Sequence, residues 1–392
     1  MVHNIWQLIA GTRESFQALF ELRKDTDYFY LLKPFEVVIG YNMQSWTRRQ
    51  RFGWALMVTI FLLYFLHLSW KVLSAFVVEG SFGYFTGTVC LWVICAGALT
   101  QICIFRNTRK HQDVVRAFIN GRQNQTKDRH RSWDKRAKSF RFNVWFTLIC
   151  IASIAFNGTC FALIGGHRKP EFTIVIDLGS DYESLSGFIQ KASSTFFIIF
   201  GVTEVLNIVW ITSFFNAMVT ELEILVEIFD ELGSDGDGAS LDELVVAIGK
   251  QQQYLDCVRH LQYLTSPSFL VQYYPTQAVI ALVILQFTYY RGTGLGYAYV
   301  AHAIFLSWLY WYMCNYVEIL ESKCIQIGEI IYNQPWYSKQ HRALFRSYSL
   351  IIARSQHGLQ FRCGGIFLMS MESFADLLRK SSSLLMFMMT FK

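Results

Sequence analysis

The stretch Ser81–Phe105, SFGYFTGTVCLWVICAGALTQICIF, holds 25 residues without a charged side chain. As an α-helix rising about 1.5 Å per residue it reaches roughly 37 Å, more than the roughly 30 Å of a bilayer's hydrocarbon core. A helix that is apolar all round belongs inside a large protein core or in lipid. Five further runs decide for lipid: Phe52–Trp70, Phe142–Gly166, Ala192–Thr220 (interrupted once, by Glu204), Ser266–Tyr290 and Gly292–Val317. The last two are parted only by Arg291 and a turn rich in glycine.

The composition of the 392 residues agrees, with 53% hydrophobic, 17% aromatic and only 16% charged, against about 25% charged in a soluble domain. Disordered chains are polar and poor in aromatics, so that class is excluded. Collagen-like and disulfide-scaffold chains are excluded by 25 glycines without period and 9 scattered cysteines. Before Phe52 the charges from Arg13 to Asp27 break every candidate span, and no targeting segment with a cleavage site is expected.

A seventh span is expected at 363–392, where Glu372, Asp376, Arg379 and Lys380 interrupt an apolar stretch. Each such charge costs about 2.5–3.5 kcal/mol at the bilayer centre on insertion scales, so this helix must turn them to protein or water. Glu372, Asp376, Lys380, Ser383, Phe387 and Thr390 step by 4, 4, 3, 4 and 3, one stripe of a helix. One polar stripe with apolar flanks suits the lining of a water-filled pore, and Phe387 with Phe391 at its far end suits a constriction that gates by dewetting. The same stripe would also suit a helix packed polar side inward against its own bundle.

Orientation follows from Lys and Arg near the span ends. The connection between the second and third spans, 106–141, carries twelve basic residues against three aspartates, a net charge of +9. The connection after the sixth span is basic too, whereas 221–266 is acidic and dissents. The expected fold is therefore an all-α membrane protein with seven transmembrane helices, N-terminus cytoplasmic and C-terminus extracellular. Its parts are a cytoplasmic segment 1–51, a six-span ligand-binding bundle 52–317, a cytoplasmic anchor region 318–362 and a pore-lining seventh span 363–392. A conventional seven-span G-protein-coupled receptor would stand the other way up, and its D-R-Y and N-P-x-x-Y triplets are missing.

Other motifs are decoys. Asp235-Gly-Asp237-Gly238 resembles a calcium loop, but the first and twelfth ligand positions would be Gly233 and Leu244. No cysteine has metal-ligand spacing, and no phosphate-binding, esterase or zinc-protease signature occurs. No enzymatic activity, cofactor, metal or nucleic-acid partner is expected. The sequons at Asn124 and Asn157 fall in a cytoplasmic loop and a span. Glu204 sits about 18 Å into its span, near the midplane, where an acid is a functional candidate by default.

The stretch Trp308–Phe391 resembles the C-terminal region of insect odorant receptors, through Trp311-Tyr312, Asn315-Tyr316, Glu318, Glu321-Ser322, Ile330-Ile331-Tyr332, Trp336-Tyr337, Arg354-Ser355-Gln356, Gly364-Gly365-Ile366-Phe367 and Ser370-Met371-Glu372-Ser373-Phe374. The chain departs from that pattern at Ser381-Ser382-Ser383, where relatives have S-Y-S, and at Gly358, where many have proline. The resemblance implies a ligand-gated, non-selective cation channel opened by volatile molecules, built as a heterotetramer with a common co-receptor. It implies a gate at Phe387, with Thr390 and Phe391 at the outer exit and Ser383 further along the pore. It also implies a multi-pass plasma-membrane protein in the dendrites of olfactory neurons. The short +9 loop fits an odour-tuned subunit rather than the co-receptor. The gustatory receptors, whose last helix ends T-Y-h-h-h-h-h-Q-F (h, apolar), are the alternative; here the Tyr and the Gln are lacking. The ligand is expected in the outer half of the bundle, among Phe85, Phe156, Phe197 and Tyr299, with His302 as polar handle.

Overall fold

A computed structural model describes residues 19–23, 27–33, 47–77, 82–125, 130–161, 183–234, 241–289, 291, 294–334, 345–356 and 358–390. The Asp235–Gly238 turn, Trp336-Tyr337 and Phe391 lie outside them. The described helices are α1 (Arg48–Val77), α2 (Phe82–Asn107), α3 (Arg109–Gln125), α4 (His130–Phe161), α5 (Glu183–Ser234), α6 (Leu241–Tyr289), α7 (Gly294–Asn333), α8 (Phe345–Gln356) and α9 (Met371–Met389). A two-residue hairpin, β1 (Arg362–Cys363) with β2 (Phe367–Leu368), precedes α9.

The described part of each of the six apolar runs falls within one helix. Five helices among the described residues are long and apolar enough to cross a membrane, within α1, α2, α4, α5 and α6. The exposure of these five sorts their places. The apolar window of α1 is only 17% buried, with Phe52 and Trp70 about 70% exposed, whereas that of α5 is 94% buried. An apolar helix that shows such side chains outward faces lipid, and α5 is the axis on which α2, α4, α6 and α7 pack.

Three helices outrun the bilayer. α5 has 52 residues, α6 has 49 and α7 has 40, so each is twice or more the roughly 20 residues a span requires. Their hydrophilic parts, 221–234, 241–265 and 318–333, extend from one end of the spans, and α3 and α8 pack against them there. The acidic stretch 221–266 is thus largely two helices packed into the bundle. Its acids hold the basic second loop: Arg136 donates from Nε and Nη2 to Glu221 at 2.5 and 2.7 Å, and Lys135 pairs with Glu227 at 2.8 Å.

The N-terminal residues 27–33 dock at the same end. Asp27 accepts from Arg116 and Asn120 on α3, and Tyr28 bonds Ser139 at 2.5 Å. Tyr28, Phe29 and Leu32 are buried in the core shared by α4 and α5. Above them Asn216 of α5 donates to Asn143 Oδ1 (2.7 Å) and Ser139 O (3.1 Å) and accepts from Tyr316 of α7 at 3.0 Å. Inside lipid a polar group must find its partner within the protein, so this hub fixes α4, α5 and α7 in one register.

Of the residues expected to open the last span, 363–368 belong to the hairpin instead. Gly364 and Gly365 have φ +55° and +78°, and Ile366 N donates to Cys363 O at 2.9 Å. The register pairs Cys363 with Phe367 and leaves three residues, 364–366, in the loop, two of them glycines at the positive φ that glycine adopts readily. A Cβ on Gly364 would lie 2.5 Å from Leu270 Cδ2, so the hairpin rests closely against α6. Gly358 has φ +61°, which proline, fixed near −65°, does not adopt.

Candidate functional site

α9 is 19 residues long, about 28 Å of helix, close to the roughly 30 Å thickness of a hydrocarbon core. Its start is built to be stable. Ser370 caps it by accepting from Ser373 N at 3.2 Å, Ser373 Oγ accepts in return from Ser370 N, and Glu318 of α7 accepts from Met371 N at 2.9 Å. A reciprocal cap satisfies two of the donors a helix start leaves open.

The face that α9 gives its own bundle is narrow. Ser373, Leu377 and Ser381 are buried, at steps of 4, and Ser381 Oγ donates to Gln277 O of α6 at 3.1 Å. Met388 continues this face onto the cluster around Tyr64 and Leu91. The predicted stripe lies off this face: Glu372, Lys380, Ser383, Phe387 and Thr390 are exposed, Phe387 by 60%, and Asp376 is half-buried. Lys380 bends back, its ammonium 3.4 Å from Tyr273 OH and 5.7 Å from that ring's centre. The alternative in which α9 packs polar side inward is not what the chain adopts. Leu378, Met386 and Met389, also exposed, flank the stripe with apolar surface.

The expected ligand-binding residues are not all brought together. Tyr299 is 5% exposed, within a cluster of α1, α2 and α6 side chains that includes Phe61, Tyr64, Ile94 and Val283. His302 is half-buried less than a turn further along α7, and Phe85 is half-buried on α2 beside Thr86, which accepts from Gln286 of α6 at 2.7 Å. Phe156, 66% exposed, lies on the outside of α4, apart from the Tyr299 cluster. Phe197 and Glu204 lie on α5 before Val205, where side chains are outside the described set. Sequence reasoning missed Phe61 and Tyr64, whose span looks uniformly lipid-facing; their spacing of 3 and the polar ring of Tyr64 were the available signal. It also missed a shallow cleft between 28–32, α4 and α5, lined by Tyr28, Phe29, Phe140, Asn143, Thr147 and Ser213.

Such a helical bundle, several of its helices fit to span a bilayer, with an amphipathic C-terminal helix laid along its side, defines a multi-pass membrane protein. The family model described as 7tm Odorant receptor matches residues 81–381, and the chain belongs to that family. Its fold is that of the insect olfactory receptor OR5 from Machilis hrabei in complex with eugenol, at TM-score 0.70, 9% identity and coverage of 94% of this chain and 100% of the other. The structure of the same receptor described without eugenol gives TM-score 0.68 at 9% identity and the same coverage. No curated protein sequence matches this chain.

Proposed function

We propose that the chain is the odour-tuned subunit of a cation channel, assembled with co-receptor subunits and opened by a volatile, mostly apolar molecule. The observation that carries this reading is the exposure of the stripe through Ser383, Phe387 and Thr390 on a helix held to its bundle by a neighbouring face. A lone chain leaving acids, a lysine and hydroxyls outward at membrane depth would meet lipid at high cost, so those groups need a water-filled axis shared with other subunits. Four such helices around one axis would place Phe387 as the constriction, Thr390 and Phe391 at the outer exit and Ser383 deeper in the pore.

The orientation is proposed with N-terminus inside. It is supported by the gathering of the basic loop, α3, α8 and the extensions of α5, α6 and α7 at one end. The ligand enters from the other end and meets Tyr299, His302 and Phe85. It binds an open conformation better than the closed one and shifts the population between them. Sensory dendrites are the expected location.

The test is co-expression with a co-receptor in cells without G-protein signalling, with current recorded as odorants are applied. The proposal expects a rapid odour-evoked cation current. A response that appears only when G proteins are restored would overturn it.

A further inference from the structure

Outside the bundle's apolar part, α3 carries His111 and the hydrophilic part of α6 carries His260. Their Nδ1 atoms face each other at 2.8 Å, with ring centres 5.1 Å apart. Tyr263, one turn from His260, stacks on the His111 ring at 5.2 Å. We infer that this pair is a binding site for a late first-row transition-metal dication, of the nickel or copper kind, which clips the connecting helix to α6.

The separation is compatible with such an ion. Imidazole nitrogen sits about 2.0–2.1 Å from such metals, so two rings in adjacent positions of a square-planar or octahedral ion bring their nitrogens about 2.8–3.0 Å apart. Tetrahedral zinc would set them about 3.3–3.4 Å apart and force the helices to part by about half an ångström. The observed 2.8 Å, which is that of the N–H···N bond joining the rings without metal, lets the first kind of ion enter with little movement of the helices.

Without metal, one Nδ1 carries a hydrogen and donates to the other. When the ion enters, that ring moves its hydrogen to Nε2, both Nδ1 lone pairs turn to the metal, and no net proton is released. The cations beside the site are paired within the chain, Arg109 with Asp113 at 3.7 Å and Arg259 with Asp256 at 2.9 Å. Both rings are half-buried, so water fills the remaining coordination positions. Among the described residues no group of three or more His, Cys, Asp or Glu forms a closed cage, and the ion is therefore exchangeable. α6 also carries Tyr273 and Gln277, which hold α9, so a clip on α6 acts on the helix that supports the proposed pore.

The inference is tested on the full chain, purified through a tag free of histidine and held in lipid nanodiscs. Micromolar nickel chloride should raise the unfolding temperature, by mass action on the folded state, with EDTA reversing the rise and magnesium chloride giving none. His111→Gln and His260→Gln, which keep a hydrogen-bonding side chain, should each melt like wild type without nickel and lose the nickel shift. Copper-loaded wild type should show two coordinated imidazole nitrogens in its electron paramagnetic resonance spectrum, and each variant at most one. An equal nickel shift in the variants, or no shift and no two-nitrogen signal in wild type, overturns the site.

Discussion

Replacing Glu221 by alanine should destabilise the chain more than any other single change of a charged residue at the hydrophilic end. The Glu221 and Arg136 side chains are only 7% and 5% exposed, and two short hydrogen bonds join them in a fork. Once the carboxylate is gone, the guanidinium keeps its 3.0 Å bond to Arg122 O but loses both arms of the fork that balances its buried charge. Breaking a buried pair from one side costs about 3–5 kcal/mol, a large part of the roughly 5–15 kcal/mol that holds a typical domain. The exposed Arg259–Asp256 pair, with side chains 67% and 51% exposed, serves as control; pairs of that kind contribute only about 0.2–1 kcal/mol. The assay is thermal unfolding of purified protein together with the fraction reaching the cell surface. Glu221→Ala should lower both sharply and Asp256→Ala should not. The double change Arg136→Met with Glu221→Leu should recover much of the loss, because no charge is then stranded. A Glu221→Ala protein that melts with wild type would refute the reasoning that the fork ties α4 to α5.

Phe387→Ala, at a ring that is 60% exposed in the single chain, should leave folding and surface delivery intact while raising resting current or altering ion selectivity in the co-receptor complex; wild-type gating in complexes shown to contain the mutant would count against the gate. Gly364→Ala places a Cβ 2.5 Å from Leu270 at φ +55° and should cost about 1–3 kcal/mol, visible as reduced surface expression, whereas Gly365→Asn, in open space and with a residue that tolerates positive φ, should be mild. Tyr299→Ala and His302→Ala should reorder responses across an odorant panel at unchanged surface level, and an unaltered order in both would remove them from the pocket.

The spans were legible because lipid imposes a rule on every residue it touches, and runs such as Ser81–Phe105 obey it without exception. The helical extensions were not, because 221–234 and 318–333 are polar on their outward sides and read as loop in a search for apolar runs. The docking of residues 27–33 rests on Asp27 meeting Arg116 and Asn120, pairings across 89 and 93 residues that no local pattern announces. The hairpin had its signal in Gly364-Gly365, hidden by the apolar residues around it. In α9 the spacing did reveal a stripe, since a charge in a span has few places to point. The pocket was least legible: an aromatic ring that packs and one that awaits a ligand look alike in sequence, as the contrast of Tyr299 with Phe156 illustrates.

The most direct measurement is cysteine accessibility along α9 in the co-receptor complex, with current recorded while a charged, membrane-impermeant thiol reagent is applied. The account predicts that cysteine at 383, 387 and 390 reacts and changes the current, and that cysteine at 373, 377 and 381 does not. Reaction at the second set with silence at the first would contradict it.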